Sequence, residues 1–243
     1  MTARGVAAVL TALLFLAGGC AEPPAEPTAR IVSSDEAERL AAVLFLNHDA
    51  GGAHLTAVVP VPGLGVSQIE AIVDWRDHLG DGELVTLAPD GRAIERQRVV
   101  WGLRSFATVG QKGDWQVDPL QPDRNPLHLA LATSLRLASD RPENPQLLIN
   151  NDASWLRADT LSGTAVDVFS GPRVGDGEAR AQGAQQIHYW LDHEGRLRRL
   201  EIRNGKPPIT LDLSRLGRQR VDAEPALRER LAASGASPSP GTR

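Results

Sequence analysis

Hydrophobic and polar positions change period twice along this chain. Between Ser34 and Asn47 the apolar side chains Leu40, Val43, Leu44 and Leu46 recur at intervals of three and four, the spacing that lines one face of a helix. Ser34 can cap that helix, Asp35 and Glu36 sit in its positive first turn, and Gly51-Gly52 stops it. The period then shortens to two. His54 to Val59 is rich in β-formers and ends at the turn Pro60-Val61-Pro62-Gly63. Beyond it Ile69, Ala71, Val73 and Trp75 alternate with Gln68, Glu70, Ile72 and Asp74. Glu83–Leu87 and Ala93–Leu103 continue the meander, with Asp90-Gly91 as a hairpin signal between them.

The helical period returns in the middle. Pro126 opens a run carrying Leu127, Leu131, Leu135 and Leu137, which predicts a helix to about Ser139, and a shorter one is expected over Pro145–Asn150. Strands follow at Trp155–Thr160, Thr164–Ser170, Gln186–Asp192, Arg196–Ile202 and Ile209–Leu213, with Glu194-Gly195 turning one pair and a polar, glycine-rich loop expected from Arg173 to Gly183. About nine strands are joined mostly by turns too short for parallel crossovers, and the helices are grouped. That pattern predicts an α+β fold, an antiparallel β-sheet packed against helices on one face.

The ends differ from this body. Residues 6–17 are an apolar run too short to span a bilayer, preceded by Arg4 and followed by Gly18-Gly19-Cys20, the layout of a secretory signal. Cys20 is the only cysteine, and its place directly after the small pair resembles the bacterial lipobox. That resemblance implies removal of residues 1–19, a diacylglyceryl group on Cys20, and a membrane-anchored protein on the extracytoplasmic face of the cell membrane. Residues 20–30 contain Pro23, Pro24 and Pro27 and read as an extended spacer. Residues 226–243 are expected to be a disordered tail, leaving 31–225 as one folded domain.

The chain of 243 residues is 42% hydrophobic, enough for a sizeable core, and its net charge is −4. Losing Arg4 with the leader makes it one unit more acidic. No basic stripe suits nucleic acid, so none is expected as a partner, and a monomer is the default. With no cysteine left to pair, stability outside the cell must come from the core.

Catalytic signals are weak. Gly63-Leu64-Gly65 lacks the third glycine of a dinucleotide fingerprint and reads as a hairpin turn. No serine has nucleophile-elbow spacing, and only Lys112 and Lys206 are lysines. Of the six histidines, at 48, 54, 78, 128, 188 and 193, His188 would share a strand face with Asp192, but without a second ligand pair the reading for His48, His54, His188 and His193 is that of polar, solvent-facing positions. No metal, cofactor or catalysis is therefore expected. Trp75, Trp101, Trp115, Trp155 and Trp190 fall at or near strands and fit a sheet–helix core.

Taken in order, several features are similar to the mycobacterial lipoprotein family typified by LppX and LprG, which is similar in turn to the periplasmic carriers LolA and LolB. They are the lipobox, the spacer, the first helix and the strand around Val73-Asp74-Trp75. The helical interruption, Ser162-Gly163-Thr164-Ala165-Val166-Asp167-Val168 and the hairpin Tyr189-Trp190-Leu191-Asp192-His193-Glu194-Gly195-Arg196-Leu197 complete the set. The resemblance implies a curved half-barrel whose hydrophobic cavity accepts a lipid or lipid-linked glycan. Candidate lining residues are Leu55, Ala57, Val73, Phe169, Tyr189 and Leu191 on strands, with Leu127, Leu131 and Leu135 on the central helix. A packed core would use the same residues, and an adaptor or sensor domain without a cavity is the alternative.

Overall fold

The computed structural model describes residues 28–110, 113–172, 186–203 and 207–234. Twelve strands among them form one antiparallel sheet in the order β1-β8-β9-β10-β11-β12-β2-β3-β4-β5-β6-β7. The first run comprises β2 (Gly52–Val61), β3 (Gly65–Asp74), β4 (Leu79–Leu87), β5 (Ala93–Trp101), β6 (Ser105–Val109) and β7 (Trp115–Pro119). The second comprises β8 (Ser154–Leu161), β9 (Thr164–Ser170), β10 (Gln186–Asp192), β11 (Leu197–Arg203) and β12 (Ile209–Ser214), with β1 (Arg30–Ile31) on its edge. Each run is a chain of neighbouring hairpins. The two join where β12 pairs with β2, Leu211 facing Ala57. The sheet stays open, ending at β1 and β7, and a sheet this wide must curl because every strand adds twist. The antiparallel sheet with helices is the fold class that the alternation predicted, and its curvature is what the resemblance implied.

Helix α1 (Ser34–Ala50) is capped one residue earlier than expected: Ser33, not Ser34, is the N-cap. Its side chain accepts from the Glu36 backbone N–H, and the Glu36 carboxylate accepts from the Ser33 N–H at 2.9 Å, a reciprocal box that fixes the cap three residues before the glutamate. Arg30 donates to both Glu36 oxygens at 2.7 Å and holds that carboxyl down to about 2. Gly51 closes the helix at φ 86, a left-handed conformation that a side chain would disfavour. Helix α2 (Pro126–Leu135) is capped by Asn125 and stops four residues short of the expected end; α3 (Pro145–Asn150) matches its expected span.

Two expectations fail here. The single strand foreseen over Ala93–Leu103 breaks after Trp101, and the turn leads into β6 and β7, which the sequence reading missed. The tail expected from residue 226 is a helix as far as Ala233, α4 (Pro225–Ala233), so the folded body extends beyond residue 225. Leu227 and Leu231 of α4 are buried with Val221 and Ala223 over Leu79, Val100 and Ala107. Arg228 anchors the segment by donating to the Val221 and Ala223 carbonyls and to Asp77. Cys20, residues 173–183 and the end of the chain past Ser234 lie outside the described residues.

The two sheet faces have different chemistry. One is apolar: Leu55 and Ala57 of β2, Ile69 and Val73 of β3, Phe169, Leu191, Leu200 and Leu211 form a continuous cluster with α1, α2 and α3. The other carries a polar row, Arg157, Val168, Trp190, Arg199, Asp212, Thr56, Glu70, Glu83 and Arg98 being successive register partners on nine neighbouring strands. Arg199 bonds Asp212, and Arg98 bonds Asp81. Such exposed pairs add about 0.2–1 kcal/mol each, so the inner cluster dominates stability.

Candidate ligand site between sheet and helices

The nine residues singled out as lining come together. Leu55, Ala57, Val73, Phe169, Leu191, Leu131 and Leu135 are each at most 2% exposed, and Leu127 and Tyr189 pack against them partly buried. Their strand register explains the grouping. Leu55 and Ala57 are two apart on β2, Val73 of β3 faces Ala53 of β2, and Tyr189 faces Phe169 directly. All point to the helix side.

Helix α2 is pinned by polar groups the sequence reading overlooked. The Trp75 indole N–H donates to the Ser134 carbonyl at 2.9 Å, and the Trp101 indole N–H to the Ser134 hydroxyl at 3.2 Å. Asn47 of α1 donates to the Leu137 carbonyl at 2.7 Å. Carbonyls at the end of a helix have no intrahelical partner, and these three donors stand where water cannot reach. Trp101 reaches α2 because Gly80 beneath it has no side chain: a β-carbon there would lie 2.2 Å from the indole ring. An asparagine within an apolar helical stripe was the available signal for one of these bonds.

At the β8–β10 end the inner face carries a charge network in which only the buried Arg39 Nε lacks a partner. Arg39 of α1 donates through two nitrogens to one Asp167 oxygen at 3.0 Å, and the Trp155 indole N–H donates to the other at 3.0 Å. The Arg39 guanidinium lies 5.8 Å from the centre of the Phe169 ring. Nearby, loss of water first and the Glu143 charge second push the Tyr189 hydroxyl up to about 12. Loss of water also raises the Glu143 carboxyl. Tyr189 and Glu143 thus lie near enough for the carboxylate charge to be felt by the phenol.

His188 corrects the expectation of a solvent-facing position. It lies on the outer face but is 7% exposed, and neither ring nitrogen has a hydrogen-bond partner. The outer face is apolar at this place, where Val166, Val168 and Trp190 cluster. Burial, then the charges of Arg203 and Arg157, lower its pKa to about 4. Asp192 is buried by a different task, accepting from the Glu194 and Arg196 backbone N–H groups at 3.0 Å to close the β10–β11 turn. Among the described residues no three His, Cys, Asp or Glu side chains are placed to hold a metal ion.

No protein-family model matches this chain, and no curated protein sequence matches it. Among solved structures it is similar to LprF from Mycobacterium bovis at 15% identity, over 79% of this chain and 97% of that one, with a TM-score of 0.43. It is also similar to the lipoprotein LppX of Mycobacterium tuberculosis at 12% identity, over 74% and 92% of the two chains, with a TM-score of 0.46. LppX is a member of the family that the order of sequence features resembles.

Proposed function

We propose that this protein is a cell-envelope lipoprotein, anchored through acyl chains on Cys20, that binds or transfers a lipid or lipid-linked glycan between its sheet and helix α2 without catalysing a reaction. In this reading residues 1–19 are a leader, 20–30 a spacer, and the folded body acts as a monomer on the extracytoplasmic face of the membrane. The observation that supports it most is the broad apolar cluster on the inner face of the sheet, charged only at its β8–β9 end, opposed to a helix that is itself apolar on several sides. Leu127 and Leu129 of α2 remain only partly buried, although they belong to the same cluster as Leu131 and Leu135. A helix apolar around its circumference is suited to an apolar neighbour on more than one side.

A second reading, a surface adaptor with a sealed core, is favoured by the near-complete burial of the strand residues. Leu55, Ala57, Val73, Phe169 and Leu191 are 0–2% exposed, so lipid entry requires the sheet and α2 to separate. Leu131→Arg distinguishes the two. In a carrier, a charge on the separable wall abolishes lipid retention while the domain still melts cooperatively. In a sealed core it costs several kcal/mol and the domain unfolds. Native mass spectrometry of the wild-type domain, purified without its anchor, must show a bound lipid; a bare mass, with none acquired from offered lipid, leaves the adaptor.

A further inference from the structure

The strand edges of this open sheet are guarded unequally. Along β7 the Arg230 side chain of α4 donates to the Trp115 carbonyl at 2.9 Å, and Pro119 at the far end has no N–H to offer. On β5, β6 reaches only Val99–Trp101, which leaves Ala93–Arg98 unpaired on that side. That stretch repels its own copy. A two-fold centred on Glu95, Arg96 or Gln97 sets glutamate against glutamate or arginine against arginine. On β8, β1 covers only Ser154 and Trp155, and among the described residues nothing pairs with the same side from Arg157 to Leu161. Thr28 and Ala29 do not carry β1 further, and Pro27 before them has no N–H to give a ladder.

This bare side of β8 complements itself. Leu161 and Thr164 close the two-residue turn to β9, so the alternation of the ladder turns the N–H and C=O groups of Ala158 and Thr160 outward. The Thr160 N–H donates there to the Asp159 carboxylate at 2.8 Å, a bond that a partner strand can replace. Arg157 donates to the same carboxylate at 3.1 Å. Arg157 and Asp159 lie on one face of β8, either side of Ala158, with side chains 44% and 36% exposed. An antiparallel copy related by a two-fold through Ala158 sets Arg157 against Asp159 twice, at the non-hydrogen-bonded positions where side chains come closest. Centring on Arg157 or on Asp159 opposes like charges instead, so the edge specifies a register as well as a partner.

We propose that two copies of this protein join through antiparallel pairing of their β8 edges, centred on Ala158, so that one sheet runs across both. The ladder extends from Leu156 to Thr160 and is bounded by β1 and by the bulge between Trp155 and Arg157. So short a ladder makes a weak, reversible contact: the dilute protein is a monomer, and the pair forms as it is concentrated. Helix α2 lies over β2, β3, β4 and β12, so the pairing does not rest on the lipid reading.

The full chain carrying Cys20→Ser, in which an introduced cysteine is the only one, tests the register. The α-carbons of Ala158 in the two copies lie about 5.5 Å apart, within disulfide reach, whereas those of Thr160 are offset by about 13 Å along the strands. Under mild oxidation Ala158→Cys gives a disulfide dimer at least about tenfold faster than Thr160→Cys. Sedimentation equilibrium shows a dimer forming below about 1 mM, and Asp159→Arg weakens it at least about tenfold. Combining Arg157→Asp with Asp159→Arg restores it. Because that exchange keeps an arginine–aspartate pair on β8, its recovery separates lost pairing from lost fold. Equal rates for the two cysteine variants, a dimer indifferent to Asp159→Arg, or no recovery in the exchanged variant overturns the proposal. So does a monomer at about 1 mM, which leaves the edge to a strand of a different protein.

Discussion

A buried imidazole with neither nitrogen bonded makes His188 the residue whose protonation the fold resists most visibly. Its neighbours on the outer face are Ser170 of β9 and Glu201 of β11, directly opposite in register, with Arg157 and Arg203 supplying positive charge. Glu201 is already committed to Arg203 at 2.8 Å and offers the imidazole little relief. The folded pKa of about 4 is below the ordinary 6.5, so the folded state favours the neutral ring. Stability from this preference is complete above pH 6.5 and is lost as the pH falls from 6.5 to 4, by an amount on the order of 2 kcal/mol. His188→Leu removes the titrating group. The fall in urea midpoint between pH 7 and pH 4.5 is expected to be smaller in that variant than in the wild type, and an identical fall would show that other groups carry the acid sensitivity.

Among the elements, α4 departs furthest from what the sequence suggested. Only Leu227 and Leu231 mark it as amphipathic, in a segment that runs on into Ser-, Gly- and Pro-rich chain, and two apolar side chains one turn apart are a thin signal. Its stability comes from the sheet patch it covers, which is tertiary information. Ending the chain after Ala223 is expected to cost about 3–5 kcal/mol, the burial of two leucines and the Arg228 bonds, and to lower the thermal midpoint by roughly 10 °C. Differential scanning calorimetry checks this, and an unchanged midpoint would mean that the helix is only a surface appendage. Strands β2, β3, β10 and β11 were legible because alternation and glycine turns agree. Strands β6 and β7 were not: five residues each, largely polar on β7, they are recognisable only once Trp101 has ended β5. The candidate site was legible as a class of residue. Register placed Leu55, Ala57 and Val73 on one face, but period two is the same for a cavity wall and for a packed core.

For the whole molecule the decisive question is where it is held. If Cys20 is acylated, ten residue-to-residue steps carry the chain from the anchor to Arg30, the first paired strand residue, a reach of about 35 Å at most. In the proposed anchored state a tether of that length would keep the sheet edge at β1–β8 close to the bilayer while leaving the domain free to turn. Cys20→Ser is expected to move the protein from the membrane to the soluble fraction with its circular dichroism and melting midpoint unchanged. Intact mass of the wild-type N-terminal peptide should show the acyl groups, and retention of the variant on membranes would refute the anchor.

The pairing of β12 with β2 gives the molecule a birth order. Hairpins on either side of that seam join residues close in the chain, so each run can assemble by itself. The seam itself brings Ala57 to Leu211 across most of the polypeptide. Until the last strand arrives, the long β2 edge stands bare and open to the wrong partner, including the same edge on another nascent chain. Helix α4, which comes after the seam in sequence yet lies on β6 and β7 from the earlier run, acts as a rivet driven once the two plates have met.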